Sequence, residues 1–179
     1  MPYFLTTARL GFRTWEAEDI SLATEVWGDP QVTRFLGGPF TSDWIASRLK
    51  SEIALQRDHG IQYWPVFLLE TGAHVGCCGL RPYQPSVPEL GFHLRPEYWG
   101  RGLAAEAAGA VIEYAFGALG ARAVFAGHLP DNDRSRRALL KAGFEYDGMK
   151  VYPPTGLLEP TYLIRNNRGL HSEQLTESR

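Results

Sequence analysis

Glu89-Leu90-Gly91-Phe92-His93-Leu94-Arg95-Pro96-Glu97-Tyr98-Trp99-Gly100-Arg101-Gly102-Leu103-Ala104 runs from an alternating segment, through a glycine turn, into a patterned helix. The alternation over Glu89 to Leu94 predicts a strand. Arg95-Pro96 closes it, because proline has no N–H for the ladder and pushes the residue before it into extended geometry. Beyond the turn, Leu103, Ala104, Ala107, Ala108, Val111, Ile112, Ala115 and Phe116 recur at three- and four-residue spacing, while Glu106 and Glu113 fall off the stripe. That pattern predicts a helix with one buried face, and Gly117 and Gly120 supply its exit. Gly100 and Gly102 let the backbone turn sharply and come close to a ligand. The first amides of a helix have no intrahelical partner and carry the positive end of its dipole. Residues 99–104 therefore predict an anion cradle, with a diphosphate as its guest.

Two common phosphate-binding motifs share this outline but not its residues. A Walker loop needs lysine followed by serine or threonine after its last glycine, where this chain has Leu103-Ala104. A dinucleotide fingerprint needs a third glycine, where Ala105 stands. It also needs an acidic residue closing the next strand, and Ala123-Val124-Phe125-Ala126-Gly127-His128 ends without one.

The segment resembles the pyrophosphate loop of the GNAT superfamily of acyl-CoA-dependent N-acyltransferases, whose pattern is Gln or Arg, two residues, Gly, one residue, then Gly or Ala. Gly102 and Ala104 match it. Trp99 replaces the Gln or Arg, so the backbone forms the cradle and Arg101 supplies charge. Tyr98-Trp99 before Gly100 looks most like the branch of ribosomal-protein N-terminal acetyltransferases of the RimJ/RimL type. Asp131-Asn132-Asp133-Arg134-Ser135, with Gly143-Phe144 after a short helix, is similar to an element of that branch. So are Thr7 to Arg13, Asp29-Pro30 and Arg34-Phe35-Leu36. The resemblance spans about residues 7–165, a single transferase domain, and leaves 166–179 as a polar tail.

The resemblance implies an α/β fold with a mixed, mainly antiparallel sheet flanked by helices, in which two parallel central strands splay to admit pantetheine. Those strands would be Glu89 to Leu94 and Ala123 to His128. Acetyl-CoA would be the donor, held by Trp99, Gly100, Arg101, Gly102, Leu103, Ala104 and Asn132. Its thioester would lie along Phe92, His93 and Leu94, where an unpaired N–H polarises the acyl carbonyl. Ser135 would lie near the sulfur as a donor to the leaving thiolate, or else serve as an ordinary residue of a helix cap. Leu139 stands where other branches place a tyrosine acid. Arg134, Arg136 and Arg137 form either a solvated helix face or an approach to the coenzyme's 3′-phosphate.

The proton chemistry has two candidates among the strand residues. Glu89 shares a strand face with His93, and Gly91 between them leaves space for substrate or water. It is the candidate base, acting through water; the alternative is a solvent-facing carboxylate. His128 is either a second base or a structural hydrogen-bonding group. The acceptor is a primary amine, at a protein N-terminus or on a small molecule. A non-catalytic acyl-CoA-binding or regulatory domain is the alternative function.

Composition bounds the remaining possibilities. The 179 residues carry a net charge of −2, which argues against general nucleic-acid binding. Cys77 and Cys78 are adjacent strand residues on opposite faces, so they form no disulfide framework and fit a reducing cytoplasm. The five histidines lack close helical pairs, so no metal is implied. Neither a signal segment nor a membrane-length apolar run is present, and the chain suits a monomer or a homodimer.

The rest of the chain predicts a strand over 8–13, helices over 19–27 and 42–57 capped by Asp19 and Ser42, a hairpin turning at 71–74, and a last strand at 161–164. Pro153-Pro154-Thr155-Gly156 interrupts the C-terminal part. Trp15, Trp27, Phe35, Phe40, Trp44, Tyr63 and Trp64 are core residues in the main, with some lining an acceptor cleft. Leu36 to Phe40 forms a loop at its mouth. Glu18, Asp29 and Asp43 either attract an amine or serve as caps and surface acids.

Overall fold

The computed structural model describes residues 2–152 and 156–167. Its strands are Leu5–Thr6 (β1), Leu10–Phe12 (β2), Tyr63–Leu68 (β3), His74–Gln84 (β4), Val87–Leu94 (β5), Ala123–Gly127 (β6), Glu145–Tyr152 (β7) and Leu157–Arg165 (β8). Its helices are Ile20–Trp27 (α1), Pro30–Thr33 (α2), Ser42–His59 (α3), Leu103–Gly117 (α4) and Asp133–Lys141 (α5). The strands join one sheet in the order β1-β2-β3-β4-β5-β6-β8-β7. Every neighbouring pair is antiparallel except β5 and β6. This is the mixed α/β architecture expected from the sequence.

Helices cover both faces, and each face has its own core. Leu10, Trp64, Leu80, Leu90 and Leu94 meet Leu103, Ala107, Val111 and Ala115 of α4 on one side. Trp15, Trp27, Tyr63 and Cys77 meet Val26, Ile45 and Leu49 of α1 and α3 on the other. Cys77 and Cys78 fall into different cores, as strand alternation requires. Burial holds both thiols in their protonated form, Cys77 with its pKa pushed up to about 12.

Two helix starts differ from the sequence reading. Thr41, not Ser42, caps α3, its hydroxyl accepting from Trp44 N–H at 3.3 Å. Asp19 stands at the N-cap of α1, but its side chain makes no capping bond there. Its carboxylate accepts from Glu16 N–H at 2.8 Å, closing a short 3-10 turn over 17–19, and from both terminal nitrogens of Arg13 at 2.6 and 2.7 Å. The Arg13 guanidinium and the preceding turn take the carboxylate, so it does not reach the first amides of α1. The first strand is shorter than 8–13, and β1, α2 and β7 have no counterpart in the sequence reading. Of the Pro153 to Gly156 interruption and the polar tail, residues 153–155 and 168–179 lie outside the described residues.

Candidate active site

β5 and β6 pair at a single position, Glu89 with Phe125. On its other edge β5 pairs with β4 from Glu89 to Leu94, so a gap opens between β5 and β6 beyond the one parallel pair. Parity decides which amides face this gap. Arg95 N–H bonds Val75 O at 2.9 Å, which makes Arg95, His93, Gly91 and Glu89 the residues whose main-chain groups turn towards β4. Phe92 and Leu94 turn theirs the other way, into the gap. Leu94 O is taken by Trp99 Nε1–H at 2.6 Å. The N–H groups of Phe92 and Leu94 thus face open space, and the amide of His93 does not.

The glycine turn follows directly. Gly100 and Gly102 have φ of +73° and +76°, a left-handed conformation that side chains disfavour. The first main-chain bond of α4 is Glu106 N–H to Gly102 O at 3.2 Å, so the amides of Leu103, Ala104 and Ala105 point out of the helix start. Trp99 ties the turn to the end of β5, and the Arg134 guanidinium lies 4.4 Å above its ring. A side chain at Gly102 would start 3.4 Å from Lys141 Nζ and 3.8 Å from the Arg9 guanidinium. Arg9 is held there by Glu106, at 2.7 Å through Nε, and by Arg101 O at 3.1 Å. Free amides, a helix dipole and cations from two separate parts of the chain, the segment between β1 and β2 and the helix α5, therefore converge on this turn. Sequence reasoning missed Arg9 and Lys141, which lie 93 and 39 positions from Gly102 and reach it only through the fold.

The face of β5 towards α1 and α3 carries Glu89 and His93. Tyr152 of β7 donates to Glu89 Oε2 at 3.0 Å. Burial raises the Glu89 pKa above the ordinary carboxylate range; the Tyr152 hydrogen bond and the Arg81 charge oppose this, and Glu159 reinforces it. The space expected at Gly91 is not there, because the Tyr63 hydroxyl lies where a Gly91 side chain would begin. Below these residues Glu52 is fully buried. It accepts from Arg48 at 2.7 Å, from Arg81 at 2.6 Å and from Tyr63 N–H at 2.8 Å. Phe40 and Trp44 stack at 3.6 Å on the same side, and Trp44 is exposed, whereas Trp15, Trp27, Tyr63 and Trp64 are core. Asp29 caps α2 by accepting from Gln31 and Val32 N–H.

His128 is not brought together with Glu89. It lies buried on the α5 side, its Nδ1–H donating to Leu129 O at 2.8 Å and its Nε2 accepting from the Tyr162 hydroxyl at 3.2 Å. Both ring nitrogens are engaged, the pattern of a structural histidine. Asn132 caps α5, its Oδ1 accepting from Ser135 N–H at 3.2 Å; the Ser135 hydroxyl has no hydrogen-bond partner among the described residues. Of the three arginines, Arg134 reaches the turn at Trp99, while Arg136 pairs with Asp133 at 3.0 Å. No helix among the described residues is long and apolar enough to cross a membrane.

Comparison with known proteins places this arrangement in a family. The family model for the acetyltransferase (GNAT) domain matches residues 9–145. An uncharacterized N-acetyltransferase, p20, from Bacillus licheniformis is 29% identical over 152 residues, covering 81% of this chain and 84% of that protein. Another, YoaA from Bacillus subtilis strain 168, is 30% identical over 150 residues with the same coverage. The crystal structure of a GNAT-family acetyltransferase from Bacillus anthracis superposes with a TM-score of 0.78 at 26% identity, over 90% of this chain and 97% of that one. The chain belongs to the GNAT acetyltransferase family, whose acetyl donor is acetyl-CoA, and it is an N-acetyltransferase.

Proposed function

We propose that this enzyme transfers the acetyl group of acetyl-CoA directly to a primary amine, at a protein N-terminus or on a small molecule. Residues 7–165 form the transferase domain, working in the cytoplasm without a metal. The observation that carries the reading is the gap beyond Glu89 and Phe125, opening beside the start of α4. The diphosphate sits on the amides of 103–105 among Arg9, Arg101, Arg134 and Lys141, with Asn132 shaping the neighbouring turn. Pantetheine threads the gap, and the Phe92 or Leu94 N–H receives the acyl oxygen as charge develops on it. Only a neutral amine attacks a thioester. Glu89, its pKa raised by burial, takes the proton through water. The carbon–nitrogen bond forms, the carbon–sulfur bond breaks, and the thiolate leaves towards the Ser135 hydroxyl. Tyr98-Trp99 and the Thr7 to Arg13 segment favour the RimJ/RimL-like branch.

The test combines thermal melting with thiol release from acetyl-CoA against a panel of amines. Acetyl-CoA raises the melting temperature, and Glu89→Gln keeps that shift while lowering kcat by about a hundredfold or more. Protection by ATP or NAD but not by acetyl-CoA would overturn the donor assignment. A Glu89→Gln enzyme with full kcat would remove Glu89 as base.

A further inference from the structure

His93 has one ring nitrogen committed and the other open. The Trp27 indole Nε1–H points at His93 Nδ1 from 3.2 Å. An indole nitrogen only donates, so Nδ1 must present its lone pair. A hydrogen on Nδ1 would collide with the indole hydrogen, which excludes both the other tautomer and the imidazolium. The ring is therefore neutral with its hydrogen on Nε2. Cys77 Sγ, 3.8 Å away, borders the same nitrogen. Burial, followed by the Arg48 and Arg81 charges, lowers the His93 pKa to about 3, in agreement with this geometry. His93 is half-buried, and its Nε2 has no hydrogen-bond partner among the described residues and is not sealed from solvent.

Placement tells what such a donor meets. The amides of Phe92 and Leu94 lie in the plane of the sheet and face the gap, while the His93 side chain stands off the sheet on the α1 and α3 side. A fixed N–H repels an ammonium and cannot accept a proton, so its complement is a lone pair; the amine's own is committed to attack on the thioester, which leaves an oxygen beside it. We propose that His93 reads the acceptor, its Nε2–H donating to an oxygen carried beside the amine. The preferred acceptors are then α-amino carbonyl compounds or vicinal amino alcohols rather than plain alkylamines or polyamines. This rests on the transfer reading above, in which the acceptor approaches from that face.

Two measurements on the full chain test it. In nitrogen NMR of histidine-labelled protein, with the His93 signals identified by their loss in His93→Gln, the spectrum shows a bare Nδ1 and a protonated Nε2 from pH 8 to pH 5. A His93 ring that titrates within that range, or that carries its hydrogen on Nδ1, would overturn the proposal. Thiol release is then compared for alanine amide and glucosamine against propylamine and putrescine. The wild type prefers the first pair; His93→Phe, which keeps a ring but no donor, lowers that preference about tenfold, and His93→Gln restores part of it. Alanine amide against glucosamine separates a peptide terminus from an amino sugar as the source of the oxygen. A wild type that favours propylamine, that turns over neither oxygen-bearing amine, or that is matched in preference by His93→Phe overturns the proposal. Failure to bind acetyl-CoA at all strikes the transfer reading instead, and the imidazole spectrum still decides the state of His93.

Discussion

Gly100 and Gly102 form a matched pair that isolates the cradle from the strain of its backbone. Both have φ near +75°, so alanine at either position costs about 1–2 kcal/mol of stability. For a domain of this length that lowers the melting temperature by roughly 2–8 °C. The surroundings differ. A side chain at Gly100 meets nothing within 4 Å, whereas one at Gly102 projects between the turn and the cations of Lys141 and Arg9. Acetyl-CoA at a hundredfold excess over its dissociation constant stabilises the wild type by about 2.7 kcal/mol. If the Gly102→Ala methyl displaces the diphosphate enough to weaken binding tenfold, the same concentration gives about 1.4 kcal/mol, half the shift. Gly100→Ala keeps the full shift from its lowered starting point. Differential scanning of the three proteins with and without acetyl-CoA measures both quantities. An equal ligand shift in Gly102→Ala and Gly100→Ala would refute the placement of the diphosphate.

Tyr152→Phe removes a hydrogen bond that favours the ionised form of Glu89, so the Glu89 pKa rises further and the base is deprotonated only at higher pH. The acid limb of kcat/KM against pH therefore moves to higher pH; an unmoved limb, or one displaced downward, would show that Glu89 does not govern it. Cys77 and Cys78, buried on opposite faces with raised pKa values, resist alkylation by iodoacetamide at neutral pH and react in denaturant. Rapid labelling of the folded enzyme would contradict this.

The β5–turn–α4 unit was legible because local rules fix it. Alternation, a proline stop, left-handed glycines and a helical stripe each act within a few residues, and the structure places strand 87–94 and helix 103–117 where those rules put them. The helix caps were legible only where no tertiary partner intervened. Asp19 is a good cap by residue type, but the Arg13 guanidinium offered a charged, bidentate partner and took its carboxylate. The edge strand β7 was missed because it is buried on neither face for most of its length, so Glu145 to Tyr152 lacks the apolar alternation that marks a half-buried strand. That omission hid Tyr152, and with it the donor that holds Glu89.

The sequence could tell which side chains share a face of β5, since alternation is a property of the strand alone. It could not tell which amides face the gap, because that depends on how β5 is registered on β4. Gly76 is central to that register. Its φ is +139°, and a side chain there would run into the main chain at His93 O, 2.8 Å from Leu94 Cα. Only a bare backbone lets β4 approach β5 this closely at the mouth of the gap. A slip of one residue would turn Glu89 and His93 into the α4 core and aim the amides of Gly91 and His93 at the gap. In the observed register the same strand gives its side chains to the proposed acceptor face, its free amides to the proposed acyl site, and its end to the turn proposed to bind the diphosphate. On the proposed mechanism, ordering that one strand aligns all three parts of the reaction, and a change that shifts it weakens them together.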